Sequence, residues 1–542
     1  MKKMKFDSTI ASEQHNLGTI FLDETENGDS IVKIKETQGD QETNGKKGES
    51  TDETLNKTVI KYQSIKEEVI FDDNLPLNKM GLRQILKDFT EIASSSVLIS
   101  CSYFSNLILL LLNLHFIGDQ RDPVLLSAVG LGTVWINALG INTIYGLNYG
   151  FEILACKSYG ANDPYSIGIY YKKGLLLICL LLSIFSLISF SIESLFILLG
   201  QSPIVATKVY EYVIYILPSL WFAGFFDLRA LYYNAQEIFM VPIIIQLFTT
   251  IGHVGWCYLF MSYDLDVMGI AMAMNITLLI NFLSLEIYTF FFNPRGEAAA
   301  PWGWPVFKGF KEYLFFTVPI AMTTVLEEFS YEINSVMAGL INETVLAAHV
   351  SMANSLSLFY CLSEGFSTGI NTYVGISIGE RKKFKAKRFA LLGMAGGMAI
   401  MGLVYIFLYI FKSQWASFFT EETTVNSLMI SNLPYFTIVG LVDSVQMCLG
   451  AILKVTGKGK MTLFLYLMCL YFLANPISFI LGNVVNWELK GIWIGISIGL
   501  IILALSFIVG VANVNWQKEI DNVEQEEEDV EEGEEKSLGE DK

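Results

Sequence analysis

Gly146-Leu-Asn-Tyr-Gly150, followed by Tyr159-Gly160, returns in the second half of the chain as Gly365-Phe-Ser-Thr-Gly369, followed by Ile378-Gly379. All three glycines recur at an offset of 219 residues. Upstream, Leu126-Ser-Ala128 matches Leu346-Ala-Ala348 with a one-residue gap. Downstream, Leu217-Pro218 and Asp227 match Leu433-Pro434 and Asp443 at an offset of 216. An ordered series of this kind is the mark of an internal repeat. Each glycine block closes an apolar stretch and precedes a basic loop.

Apolar stretches of about 20 residues read as membrane-spanning helices. Twelve are present, roughly 90–117, 124–149, 174–200, 205–234, 239–262, 267–293, 313–340, 345–376, 388–415, 424–452, 461–485 and 489–515. Nothing alternates as a barrel strand does. The expected fold is an all-α polytopic membrane protein of twelve transmembrane helices in two pseudo-symmetric six-helix lobes. With six spans in each half the repeats are parallel, and secondary transporters commonly bind substrate between such halves. The boundaries follow: a disordered polar tail over 1–80, a first lobe over 81–293, a linker over 294–312, a second lobe over 313–516 and an acidic disordered tail over 517–542. The linker holds Pro301-Trp-Gly-Trp-Pro305 with Lys308 and Lys311, a composition suited to headgroup depth.

Composition agrees. Of 542 residues 52% are hydrophobic and 17% charged, with mean hydropathy +0.45, which excludes an ordinary soluble enzyme. The net charge of −18 is concentrated in the tails, where residues 1–80 carry −5 and residues 517–542 carry −10. The first tail is too polar to bury a core and lacks the pattern of a cleavable signal peptide. The acidic run from Glu524 to Glu535 reads as a solvated tail. Seventeen lysines and arginines fall on the side shared with both tails, against only Arg121, Lys208, Lys412 and Lys490 on the other. The positive-inside rule therefore places both tails in the cytoplasm. The seven cysteines lack paired spacing and read as small core residues.

An ionisable residue inside a span is a functional hypothesis by default. Span 7 reads Pro319-Ile-Ala-Met-Thr-Thr-Val-Leu-Glu327-Glu328-Phe-Ser-Tyr331-Glu332-Ile-Asn334. Three acids stand near its middle with no base among them. Glu328 and Glu332 share a face, as do Glu327 and Tyr331. Crowded, partly desolvated carboxylates suit the uptake and release of protons. When ionised they attract organic cations, with Phe329 and Tyr331 as aromatic faces. Pro319 is expected to bend this span. Asp443, in span 10, joins these acids if the two spans face one cavity. Asp227 is divided between a functional acid and a structural ion pair, with Arg229 close in sequence. Glu286 and Glu364 read as span-end residues held in solvent. His115, His253 and His349 read as satisfied core or interfacial histidines. No phosphate-binding glycine loop and no nucleophile or metal-protease motif appears, so neither direct ATP use nor an enzyme is expected.

These residues bring the chain close to a known family. Leu126-Ser-Ala-Val-Gly-Leu-Gly, then Gly146 through Glu152, Lys157, Gly160 and Ala161, resembles the hallmark after span 2 of the multidrug and toxic compound extrusion (MATE) family. Ala347-Ala348 and the Gly365 block with Gly379 resemble its second-half counterpart. Glu327-Glu-Phe-Ser-Tyr331-Glu332 resembles the Glu-x-x-x-Tyr-Glu of the eukaryotic branch, and Asp443 through Gly450, Lys454 and Gly457 its span-10 pattern. The resemblance implies a V-shaped pair of six-helix lobes exchanging H⁺ or Na⁺ for organic cations. It gives Glu327 and Glu332 the role of cavity carboxylates and Asp443 that of the span-10 acid. Glu152 becomes a structural or gating residue. Four departures stand out: Lys157 replaces a Gln, Asn113 an Asp of bacterial members, Lys454 an Arg, and Glu328 a common aromatic.

The expected function is secondary antiport, exporting organic cations or xenobiotics in exchange for protons, with Na⁺ as the alternative coupling ion. The site residues are Glu327, Glu332, Asp443, Glu328 and Tyr331. Glu152, Asp227, Lys157, Gly160 and Gly379 serve as gate or structure. No cofactor or nucleic-acid partner is expected. The partners are small organic cations and the lipid bilayer, with the protein a monomer in a plasma or vacuolar/vesicular membrane. A lipid or lipid-linked sugar flippase would instead call for a cavity rich in Arg and Lys, and a non-transporting scaffold would leave the intramembrane acids without a role.

Overall fold

The computed structural model describes residues 20–24, 30–34, 74–118, 122–263, 265–292, 300, 302–420 and 422–522. Two strands, β1 (Ile20–Glu24) and β2 (Ser30–Ile34), pair antiparallel, with Ile20 opposite Ile34. They are short runs containing Ile, Leu, Phe and Val within the tail expected to be disordered. The rest of that tail to residue 73 lies outside the described residues.

The helical body, described from residue 74, begins with a short turn, Leu77–Lys79. The first lobe comprises α1 (Leu82–Gly118), α2 (Pro123–Gly160), α3 (Pro164–Ser189), α4 (Pro203–Asn234), α5 (Met240–Met261) and α6 (Asp266–Phe292). The second comprises α7 (Phe310–Gly339), α8 (Glu343–Gly379), α9 (Lys383–Ile410), α10 (Thr423–Val455), α11 (Gly459–Val484) and α12 (Glu488–Ala512). Among the described residues eleven of these are long and apolar enough to cross a membrane. The twelfth is α7, whose three acids lower its hydropathy.

Local sequence sets the helix starts. Asp122, Asp163 and Ser202 each cap a helix that begins with proline, through a side-chain oxygen accepting from Val124, Ser166 or Val205 N. Asn342 caps α8 in the same way. At the far ends of α2 and α8, Asn162 (φ 60°) and Arg381 (φ 59°) both turn left-handed, again 219 residues apart.

Four boundaries that bear on the reading differ from expectation. Spans 3 and 9 stop at Ser189 and Ile410, and the apolar residues beyond form separate short helices, Ile192–Leu198 and Lys412–Phe419. Hydropathy alone does not separate such caps from a continuing span. The linker ends early, because α7 starts at Phe310. It contains the short helix Trp304–Phe307, and Lys172 donates to the Ala300 carbonyl and lies 5.0 Å from the Trp302 ring. The acidic tail starts late, since 516–522 are helical and bury Trp516 and Ile520, one turn apart. Residues 523–542 lie outside the described residues.

The repeat explains how the lobes meet. Gly146 and Gly150 of α2 lie against Ala321 and Thr317 of α7, and Gly365 and Gly369 of α8 lie against Ser100 and Ser96 of α1. The partners themselves repeat at one offset, 221 residues. Gly160 and Gly379 then meet each other. A methyl on Gly160 would strike the Ile376 carbonyl, and one on Gly379 the Lys157 carbonyl, so both positions exclude a side chain. The Pro123–Trp135 half of α2 packs mainly on α4, inside its own lobe. The lobes are thus joined at the C-terminal ends of α2 and α8.

Candidate functional site

The neighbours of α7 decide which of its acids form a site. Glu327 is buried, and its Oε1 accepts from Gln446 Nε2 at 2.8 Å. Gln446 Nε2 also lies 3.1 Å from Asp443 Oδ1. The Tyr466 hydroxyl is 3.2 Å from Glu327 Oε2 and 2.7 Å from Gln446 Oε1. One amide therefore bridges two buried carboxylates, and one hydroxyl, with a single proton, serves two acceptors. Asp443 and Gln446 share a face of α10 by their spacing, and Lys454 lies three turns further along that face. Lys454 interacts electrostatically with both Glu327 and Glu364.

Helix α11 holds α7 in this register. Tyr471 donates to the Leu326 carbonyl at 2.9 Å, and Asn475 Oδ1 accepts from Ser330 at 3.0 Å and Asn334 at 2.9 Å. Tyr466 immediately precedes a π-helical segment, Leu467–Ala474, which rephases the face that α11 presents. The Tyr331 hydroxyl, one turn past Glu327, is buried without a hydrogen-bond partner among the described residues and interacts with Asp443 and Glu327. Ser444 Oγ is likewise unpartnered. Two carboxylates with unpartnered hydroxyl oxygens nearby offer the lone pairs that can hold a proton or a small cation.

The acids of α7 do not act as one cluster. Glu332 is five residues from Glu327, about 140° round the helix, and lies instead beside exposed Glu328, whose like charge it repels. Glu327, Asp443 and Tyr331 are brought together; Glu328 and Glu332 lie next to each other on a different face of α7. Gln446 and Tyr466 complete the site and went unread in the sequence as functional residues.

A second polar region lies at the seam between the lobes. Glu364, expected to be solvated at a span end, is only 5% exposed, because α8 packs closely on α1 at the neighbouring Gly365. Its carboxylate interacts with the Tyr149 and Tyr360 hydroxyls and with the Lys454 ammonium. Tyr103 joins Tyr149 at 2.9 Å and Thr368 at 3.1 Å. Glu152 is fully buried; Thr372 donates to its Oε1 at 3.2 Å, while Oε2 has no partner among the described residues. Asp227 accepts from Asn148 at 2.7 Å. The ion pair expected of it goes elsewhere: Arg229 grips Glu286 through two bonds of 2.7 and 3.0 Å, its guanidinium 4.2 Å from the Tyr171 ring. Glu286 is thereby paired rather than merely solvated. Lys157, Gly160 and Gly379 all lie where the lobes touch.

Of the three span histidines only His253 is the satisfied core residue expected, since neither ring nitrogen of buried His349 has a hydrogen-bond partner among the described residues. His253 is satisfied by Thr277 at 2.8 Å and Asn113 at 2.9 Å, His115 is exposed, and His349 is buried beside Trp493. A groove of about 430 Å³ between α5 and α6, lined by Phe248, Thr249, Trp256 and Thr277, holds no acid and lies apart from both polar regions.

Comparison with known proteins gives concordant findings. The MatE family profile matches residues 97–259 and 319–480, once in each lobe. The mouse multidrug and toxin extrusion protein 2 is 27% identical over 72% of this chain and 69% of its own. Protein DETOXIFICATION 49 of Arabidopsis thaliana is 23% identical over 76% and 82%. The crystal structure of the eukaryotic MATE transporter AtDTX14 superimposes with a TM-score of 0.76 at 19% identity, covering 82% of this chain and 99% of that one.

Proposed function

Because the chain belongs to the MatE family, we propose that it is a proton-coupled antiporter that exports organic cations or xenobiotics by alternating access. The observation that carries this reading is the Glu327–Gln446–Asp443 bridge inside the second lobe. Ionised, the pair presents negative charge shielded from bulk water, a setting that attracts an organic cation. Protonated, it loses that attraction. Exchange follows when the two occupants favour opposite-facing states, since a ligand drives a conformational change only through its different affinities for them. In the proposed cycle the ionised pair takes a cation on the side of the basic loops. The lobes rock, the cation leaves, and protons from the opposite side neutralise the pair for the return.

The loop charges support cytoplasmic termini, which makes the basic side the cytoplasm and the direction outward. The relatives named for multidrug and toxin extrusion support a cargo of small organic cations. A monomer in a plasma or vacuolar/vesicular membrane fits this reading.

The test uses proteoliposomes, a fluorescent cation, and H⁺ and Na⁺ gradients imposed separately. Wild type is expected to respond to the H⁺ gradient; a response to Na⁺ alone would replace the proton in this scheme. Glu327→Gln is expected to abolish pH-driven efflux while the protein elutes and melts like wild type. Wild-type efflux in that variant overturns the assignment.

A further inference from the structure

We propose that Lys311 of α7 and Lys460 of α11 form a binding site for the headgroup phosphate of an anionic phospholipid, taken from the leaflet on the side of the basic loops. The proposal needs only the membrane-spanning fold and stands apart from the antiport reading. Gly459, at the start of α11, packs on Ile320 of α7 and has no side chain to hold the two helices apart. Lys311 and Lys460 are each the second residue of their helix. Their ammonium groups approach the same ring, that of Phe315, at 5.7 and 5.4 Å from its centroid. Phe315 stands one turn past Lys311, and Phe464 one turn past Lys460. Both phenylalanines are more than half exposed.

Two like charges converge here without an acid between them. Among the described residues neither lysine makes an ion pair. Glu312, next to Lys311 in sequence, turns to Lys173 of α3, and both border Gly309. Glu519 is buried against Gly457. Lys308 and Lys458 precede the two helices and add to the positive field. A lysine with no other partner at a membrane surface extends its head into water. Two ammonium groups drawn to one exposed ring gain little from it and repel each other, so an anion between them stabilises both. The surroundings decide which anion. Phe315 and Phe464 are exposed on spanning helices, and Trp304 and Phe307 are exposed on the short helix before α7. The charges are thus set in aromatic surface of the kind found at headgroup depth. A free phosphate gains nothing from that surface. A phospholipid does, with its phosphate between the lysines and an acyl chain along the two phenylalanines. The bound lipid ties α7 to α11 less than two turns before Tyr466 reaches Glu327.

The test counts bound lipid and needs neither cargo nor gradient. The full chain in detergent is titrated with phosphatidylserine or phosphatidylcholine and followed by native mass spectrometry, which resolves the first lipid bound. Wild type is expected to hold phosphatidylserine about tenfold or more tighter than phosphatidylcholine. Lys311→Gln and Lys460→Gln should each weaken phosphatidylserine about fivefold and leave phosphatidylcholine as it was. Arginine at either position keeps the charge and should keep the preference. Lys387→Gln removes the same charge from an exposed position on α9, on the same side of the membrane, and should bind as wild type does. Equal affinity for the two lipids in wild type overturns the proposal. So does a preference that survives Lys311→Gln combined with Lys460→Gln, or that falls as far in Lys387→Gln. A preference that appears only in a chain cut after Asn522 gives the lysines to the chain's own acidic tail and likewise overturns it. Loss of the antiport reading shows separately, as a wild type that moves no cation in the gradient assay.

Discussion

Tyr466 has one proton and two claimants, Glu327 and Gln446. Tyr466→Phe keeps the ring in its edge contact with Phe507, 5.7 Å between centroids, and removes only the hydroxyl. Two buried acceptors then lose a donor, at about 1–3 kcal/mol for an unsatisfied buried group. Cation efflux in proteoliposomes is expected to fall by about tenfold, which corresponds to about 1.4 kcal/mol, with folding retained. A rate within twofold of wild type would sink this role. At this scale the sequence was half legible. Glu327 and Asp443 stand out because a carboxylate in an apolar span has no cheap explanation. Gln446 and Tyr466 do not, since uncharged polar side chains are ordinary within helical bundles. Glu364 is hard to read for a different reason: the apolar span already runs about three turns past it, and only the close packing of that stretch against α1 shows its carboxylate to be buried rather than solvated.

Helices α2 and α8 cross where their glycines meet, so substitutions there act on lobe closure rather than on either lobe. Gly379→Val places its side chain against the Lys157 carbonyl of the other lobe. Backbone cannot yield as a flexible side chain can. The variant is expected to reach the membrane and lose efflux. Gly402→Val, on α9 with open space at its Cβ, should transport as wild type does. Equal efflux from both variants would remove the seam from the mechanism. This element-level logic was legible because a glycine pair kept for close approach leaves the same spacing in both halves. The partners in α1 and α7 were less so, since Ser96, Ser100, Thr317 and Ala321 share small size and not identity. The π segments, Ile136–Ile141 in α2 and Leu467–Ala474 and Ile480–Val484 in α11, left no readable trace, because a single extra residue per turn does not alter apolar composition.

At the scale of the whole molecule, alternating access requires contacts that exist in one state and vanish in the other. The best defined is an ion pair between the lobes, Arg388 Nε of α9 to Asp88 Oδ2 of α1 at 2.5 Å, both side chains under 5% exposed. The chain before α1 adds to it. Phe384 N donates to Asn74 Oδ1 at 2.8 Å, and Arg388 Nη1 donates to the Leu75 carbonyl at 3.1 Å. Removing one member of a buried pair costs about 3–5 kcal/mol, because the other charge is left bare. Here that cost falls only on the state in which the lobes are closed at this end, since opening hydrates Asp88. A bias of this size moves a two-state equilibrium by about two orders of magnitude or more. Arg388→Gln is therefore expected to favour the state open toward the basic loops without unfolding either lobe. The reporter is Cys156, fully buried at the seam against Gly375. A membrane-impermeant maleimide supplied on the loop side should label it much faster in Arg388→Gln than in wild type. Adding Asp88→Asn removes the bare charge and should restore much of the protection, the coupling expected of residues in direct contact. Equal protection of Cys156 in wild type and Arg388→Gln would mean that the pair is not a latch, and that closure rests on the glycine seam and the Tyr149–Tyr103–Thr368 hydrogen bonds.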